Sequence, residues 1–423
     1  MHRRLLVIFC LILAGEAIFS LPFHVPRFFR ATVLEVFAFS NADLGDVFAV
    51  YGVTAMLAYF PGGAIADRFS ARNLMSFSLI ATATGGLYMA TVPGVVGMSA
   101  LFAYWGVTSI LLFWAALIRS TREWGGDLSQ GRAFGILDGG RGLVAAGLAS
   151  VAVIIFKTAF ESELEGADPA VRQAALVSVI YFYTAVTFAA GVVTWLLIPN
   201  TPPAPGTARR SSLFNIRDVL RQDVVWIQAL IVVCAYCGYK GLDNYALYAV
   251  EVLGMNEIDA AAFTAASAYI RPAAAVAAGL LADRFSASRV MLGFFLILSV
   301  SYGYLGFATP VADAGGLLFA NILVSFAGVY GLRGVYFALL QETRVPPGMT
   351  GTAVGLISLV GYTPDVFFAV AAGRLLDNSP GVTGHQHYFL LLTAIMAVGT
   401  VTVGLLMQRA RRRTKIKHRM PTA

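Results

Sequence analysis

Gly63-Ala64-Ile65-Ala66-Asp67-Arg68-Phe69-Ser70-Ala71-Arg72 returns nearly intact as Gly279-Leu280-Leu281-Ala282-Asp283-Arg284-Phe285-Ser286-Ala287-Ser288, followed by Arg289. The six residues Ala-Asp-Arg-Phe-Ser-Ala are the same in both copies. Each copy stands where one apolar run ends and another starts a few residues later, so each is a tight turn between two helices. The copies lie 216 residues apart in a chain of 423, which implies a tandem duplication of a multi-helix unit.

Across the chain 58% of residues are hydrophobic and 13% charged, with a mean hydropathy of +0.74. No water-soluble core of this size needs that much apolar surface, so an all-α polytopic membrane protein is expected. A spanning helix takes roughly 20 mainly apolar residues. Twelve runs of about that length lie near 5–28, 44–66, 73–92, 96–118, 132–157, 174–198, 224–250, 258–282, 289–308, 315–340, 351–373 and 387–407. The opening Met1-His2-Arg3-Arg4 before Leu5 resembles a secretory signal. The apolar run continues to Phe28, however, and removing it would leave one half a helix short of its duplicate.

Charge sets the orientation. Arg3, Arg4, Arg68, Arg72, Arg119, Arg122, Arg217, Arg221, Arg284, Arg289 and the tail from Arg409 fall on one side, with Arg30, Arg172 and Arg374 opposite. The positive-inside rule then places both termini in the cytoplasm of an integral plasma (inner) membrane protein. The net charge of +7 is explained by topology and contact with membrane lipids, so no nucleic-acid partner is expected. The longest hydrophilic connection, 199–222, carries Pro199, Pro202, Pro203 and Pro205 and divides two bundles, 1–198 and 223–407; a basic tail, 408–423, follows. Cys10, Cys234 and Cys237 all lie in apolar runs, which excludes a disulfide framework and implies no metal site or cofactor.

Ionisable residues inside the runs mark function, because a bare charge at bilayer depth costs several kcal/mol. Glu16 stands mid-way along the first run, ahead of Pro22, His24 and Pro26. The loop to the second run ends Asn41-Ala42-Asp43, where Asp43 is expected to cap the helix start. In the fifth run Gly131, Gly135 and Gly139 are spaced for close helix approach, and Asp138 and Arg141 share a face, where they can neutralise each other. The seventh carries Tyr236, Tyr239, Lys240, Asp243 and Asn244; Lys240 is the duplicate of His24 and can alternatively be neutralised by Asp243. Arg271 precedes Pro272 in the eighth run, Arg333 lies in the tenth, and Pro364 predicts a break in the eleventh.

The Gly-x-x-x-Asp-Arg-x-x-x-Arg pattern of Gly63, Asp67, Arg68 and Arg72, and its return as Gly279, Asp283 and Arg284 with Arg289 one residue late, resembles the signature of the major facilitator superfamily of secondary transporters. The resemblance runs along essentially the whole chain. It implies twelve transmembrane helices in two six-helix bundles related by a pseudo-two-fold axis, a substrate cavity between them, and signature turns acting as a conformational latch. His24 and Lys240 also look like the paired basic residues of organophosphate/phosphate antiporters, which use arginine at both places. The proline pattern of drug antiporters is missing from the fifth run.

These readings point to a carrier of a small polar solute, an organic anion by preference, with His24, Arg141, Lys240, Arg271 and Arg333 as substrate contacts. Glu16 and Asp138 are the candidates for proton coupling, with a counter-anion as the other possible partner. The alternatives are a proton-coupled sugar or polyol symporter, an outward pump for amphiphiles, or a non-transporting membrane receptor. A membrane enzyme would need a nucleophile, a metal cluster or paired carboxylates near one interface, and the sequence presents none.

Overall fold

A computed structural model describes residues 2–66, 68–126, 130–161, 168–200, 216–307, 315–343 and 350–419. Asp67, the linker residues 201–215 and the tail end 420–423 lie outside these. Every regular element among the described residues is helical. Among the described residues, nine helices are long and apolar enough to cross a membrane, ten if the bent pair at the start counts as one span. Asn41–Ala66 and Ala71–Met89, of 26 and 19 residues, reach about 39 and 28 Å at the helical rise. Both stand at the second and third apolar runs seen in sequence.

Several spans are broken, and proline chemistry explains where. Pro22 has no N–H to donate to Ile18, and the first span bends by 45° between Arg3–Ala17 and Ser20–Phe28, with a π-helical turn over Ser20–His24. Pro272 interrupts the eighth span one turn ahead, between Glu257–Ser267 and Ile270–Phe285. The eleventh breaks between Thr350–Gly361 and Pro364–Asn378, at the predicted proline. The seventh tightens to a 3₁₀ turn over Leu242–Asn244 after Gly241. Large apolar side chains such as Leu57, Ile154, Leu196, Val276, Val300 and Val401 stand exposed along the helices, as lipid contact requires.

The chain divides into two compact units. Unit 1 comprises 1–208, 242–272 and 365–384; unit 2 comprises 209–241, 273–364 and 385–423. Unit 1 packs around Phe102, Trp105, Phe156 and Tyr183, all fully buried. It is also tied together at the helix ends remote from Arg68 and Arg72. There Arg172 pairs with Glu35 and, at 2.9 Å, with Glu257, which accepts from Thr32 at 2.7 Å. Asp377 accepts from the backbone N–H groups of Asn41 and Ala42 at 3.1 and 2.7 Å, and Arg374 reaches Asp46 at 2.9 Å.

Asp43 acts in a different way from the simple cap expected. Ser40 is the cap, its Oγ accepting from the Asp43 N–H at 3.0 Å, while Asp43 accepts from the Ser40 N–H at 2.9 Å. This reciprocal box satisfies two orphan donors. Its first arm recurs 216 residues on, where Asn256 Oδ1 accepts from the Asp259 N–H at 2.8 Å, while the return bond runs from the Asn256 side-chain Nδ2 to the Asp259 carboxylate at 2.8 Å.

Candidate substrate site

The bend in the first span sets Glu16 just before the break and His24 just after it, both buried. His24 Nε2 lies 3.1 Å from Glu16 Oε1, so the imidazole N–H donates to the carboxylate. Arg141 Nε donates to Glu16 Oε2 at 3.0 Å, and an Arg271 terminal nitrogen stands 3.8 Å from Oε1. The other arm of Arg271 donates to Asp138 at 2.8 Å. The side chains of Arg141, Arg271 and Glu16 are each at most 8% exposed, whereas that of Asp138 is 38% exposed and forms the open edge of the cluster.

Glycines give the two arginines room. A Cβ at Gly15 would stand 3.2 Å from Arg141 Cδ, and one at Gly142 3.0 Å from Arg271 Cδ. Gly135 and Gly139, expected to allow close approach, have nothing within 4 Å among the described residues; the tight contact is one residue on, at Gly140 against Ile12. The shift arises because the stripe facing the first helix is the one carrying Arg141. Aromatic faces complete the wall, with the Arg141 guanidinium 5.6 Å from the Phe19 ring and 5.8 Å from Trp114. Trp114 ends a π-helical stretch, Val107–Trp114, the second one beside this cluster.

Asp138 and Arg141, neighbours on one helix, thus each have a partner on another. Asp243 likewise has Arg27, whose Nε donates to it at 2.5 Å with both side chains buried. Arg27 carried no role in the sequence reading. The signal was present, since Arg27 and Asp243 are separated by the 216-residue repeat. Tyr183 was also missed; its ring meets His24 edge to face at 5.8 Å.

Lys240 and Arg333 belong to unit 2. Lys240 is 3% exposed, and the Arg333 guanidinium lies 4.0 Å over the Tyr239 ring. Of the signature residues, Asp67 is outside the described set. Arg72 stacks on Trp195 at 4.5 Å, Arg284 lies over Phe285 at 5.4 Å, and Arg68 and Asp283 are exposed. Arg119 caps the first turn by donating to the Ala66 and Phe69 carbonyls. Gly63 and Gly279 have nothing within 4 Å among the described residues, so no helix approaches them closely here. Ser286, three residues ahead of Arg289 in the second copy, has a positive φ.

A helical membrane protein with broken spans and an ionic cluster at the breaks has the build of a carrier. The model of the Major Facilitator Superfamily matches residues 5–369. The chain belongs to that family. It is a secondary transporter rather than an enzyme, integral to the inner membrane. It is similar to the inner membrane protein YihN of Escherichia coli (strain K12), 27% identical over 416 residues and 96% of each chain. It is also similar to a probable nitrate/nitrite antiporter, NarK1 of Thermus thermophilus, 24% identical over 406 residues, 89% of this chain and 87% of the relative. Among solved structures, the D-xylose-proton symporter superposes with a TM-score of 0.70 at 15% identity, covering 95% of this chain and 96% of its own. That likeness concerns the fold.

Proposed function

We propose that this superfamily member moves a small organic anion by alternating access, with His24, Arg141, Lys240, Arg271 and Arg333 as substrate contacts. One observation carries the reading: the buried carboxylate of Glu16 is held by His24, Arg141 and Arg271. Two guanidiniums and an imidazole around one carboxylate are the groups an anionic substrate needs. Glu16 is then the resident anion that an arriving substrate displaces. Displacement leaves Glu16 without its counter-charges, and a proton restores neutrality, which couples the two movements. Asp138, on the other arm of Arg271, is the second candidate proton carrier. The similarity to a probable nitrate/nitrite antiporter supports an anionic cargo.

In this reading the bundles 1–198 and 223–407 rock about the linker 199–222, with both termini cytoplasmic and the basic tail 408–423 against anionic lipid. The turns Gly63, Asp67, Arg68, Arg72 and Gly279, Asp283, Arg284, Arg289 serve as the latch. Arg271→Met should weaken anion binding by about 1.5 to 3 kcal/mol, the range for a hydrogen bond to a charged group. Affinity would fall about ten- to a hundred-fold in titration of the purified carrier. Anion affinity unchanged in both Arg271→Met and Arg141→Met would overturn the proposal.

A further inference from the structure

Unit 2 contains a cluster that the Glu16 site does not explain. Gln228, Tyr236 and Tyr239 follow one another along one stripe of the helix Asp223–Gly241. Tyr336 and Tyr362 join them from the tenth and eleventh spans. The Tyr236 ring meets Tyr362 edge to face at 4.9 Å and Tyr239 at 5.7 Å, and the hydroxyls of Tyr336 and Tyr362 are 3.2 Å apart. Arg333 stacks 4.0 Å over Tyr239. Gln228 Nε2 donates to the Tyr336 carbonyl at 3.2 Å, while its Oε1, wholly buried, has no hydrogen-bond partner among the described residues.

Tyr236, Tyr239, Tyr362 and Arg333 are half-buried. A guanidinium within a span is costly against bare hydrocarbon, by several kcal/mol, which favours a polar or wet surrounding for this cluster. Stacking occupies the face of the Arg333 guanidinium, and its N–H donors lie in the plane, at the edge that meets an anion. An inorganic anion would use that edge alone. The aromatic rings beside it suit a carbon body, and the paired Tyr336 and Tyr362 hydroxyls can exchange their mutual hydrogen bond for one to a ligand hydroxyl. Gln228 Oε1 needs a donor, which a substrate hydroxyl or a water ordered by it supplies.

We propose that Tyr236, Tyr239, Tyr336 and Tyr362 with Arg333 form a recognition site for a small polyhydroxylated organic anion of the sugar-acid class. The inference rests on the anionic reading above and names its substrate class. The test is binding of D-gluconate, propionate, nitrate and D-glucose to the purified full chain. D-Gluconate should bind at least about tenfold more tightly than the other three, the difference made by one or two hydrogen bonds. Tyr236→Leu, and Tyr362→Phe as the gentler change, should each cut D-gluconate affinity about tenfold and leave propionate and nitrate unaltered. Equal binding of propionate or nitrate, or tyrosine variants that weaken every anion alike, would overturn the assignment. Arg271→Met and Arg141→Met separate the two proposals: indifference of all anions to both removes the Glu16-site reading, whereas a tyrosine effect confined to D-gluconate stands or falls independently. Tight binding of D-glucose would remove both.

Discussion

Unit 1 and unit 2 each hold positive charge inside a membrane protein, and they accommodate it by different means. In unit 1, Arg27, Arg141 and Arg271 are buried against Asp243, Glu16 and Asp138. In unit 2, Arg333 is half-buried and lies on a tyrosine ring. Acid-base pairing is the cheaper arrangement where water is excluded, and it can change partners when an anion arrives. Stacking suits a charge that keeps contact with water, and it holds its geometry whether or not a ligand is present. Individual tight glycines also differ in what they meet. Gly45 and Gly52 lie against the backbone of Ala369 and Asp365, whereas Gly361 and Gly399 of unit 2 meet the side chains of Val232 and Phe295.

The strongest way to break the comparison is Glu16→Gln. Losing one member of a buried ionic cluster costs about 3 to 5 kcal/mol, because the arginines are left uncompensated. We expect a matching drop in the unfolding midpoint, largely recovered by saturating anion, and transport that no longer changes with pH. A midpoint near the parent's, with the pH profile intact, would mean that unit 1 does not depend on its acid-base pairing. Next in size is Gly52→Ala, whose Cβ would stand 2.5 Å from the Asp365 carbonyl oxygen. Backbone cannot swing aside as a side chain can, so a cost of about 1 to 3 kcal/mol is expected. Gly361→Ala, facing a valine side chain, should cost less in the same thermal measurement. The smallest effect is expected at Tyr239→Leu, about 0.5 to 1 kcal/mol for loss of a half-buried cation–π contact. A loss as large as that of Glu16→Gln would show that the stack bears as much of the stability as the ion pairs.

Much of the fold was legible because hydropathy and repetition are local properties. The apolar runs, the turn at Gly63–Arg72 and its duplicate, and the break before Pro364 all follow from residue type and spacing. Glu16, Asp138, Arg141 and Arg271 were marked as functional by the cost of burying charge, with no structure needed. Their partners were not legible. Asp138 and Arg141 are neighbours on a helix, and helical spacing alone favours their pairing; two other helices, carrying Arg271 and Glu16, offer each a better one. Arg27 looked like a boundary charge because it follows Pro26 near the end of an apolar run.

By itself, the sequence determined that this chain crosses the membrane many times, arose by duplication, and keeps a few charges where lipid does not tolerate them bare. Hydrophobic burial and the 216-residue repeat suffice for that. Only the tertiary structure decided which carboxylate neutralises which arginine, and that Gly15 and Gly142 make space for them. It also decided that Arg27 meets Asp243, its own duplicate position. The reason is physical: pairing energy depends on distance and exclusion of water, and both are set where helices far apart in the chain converge.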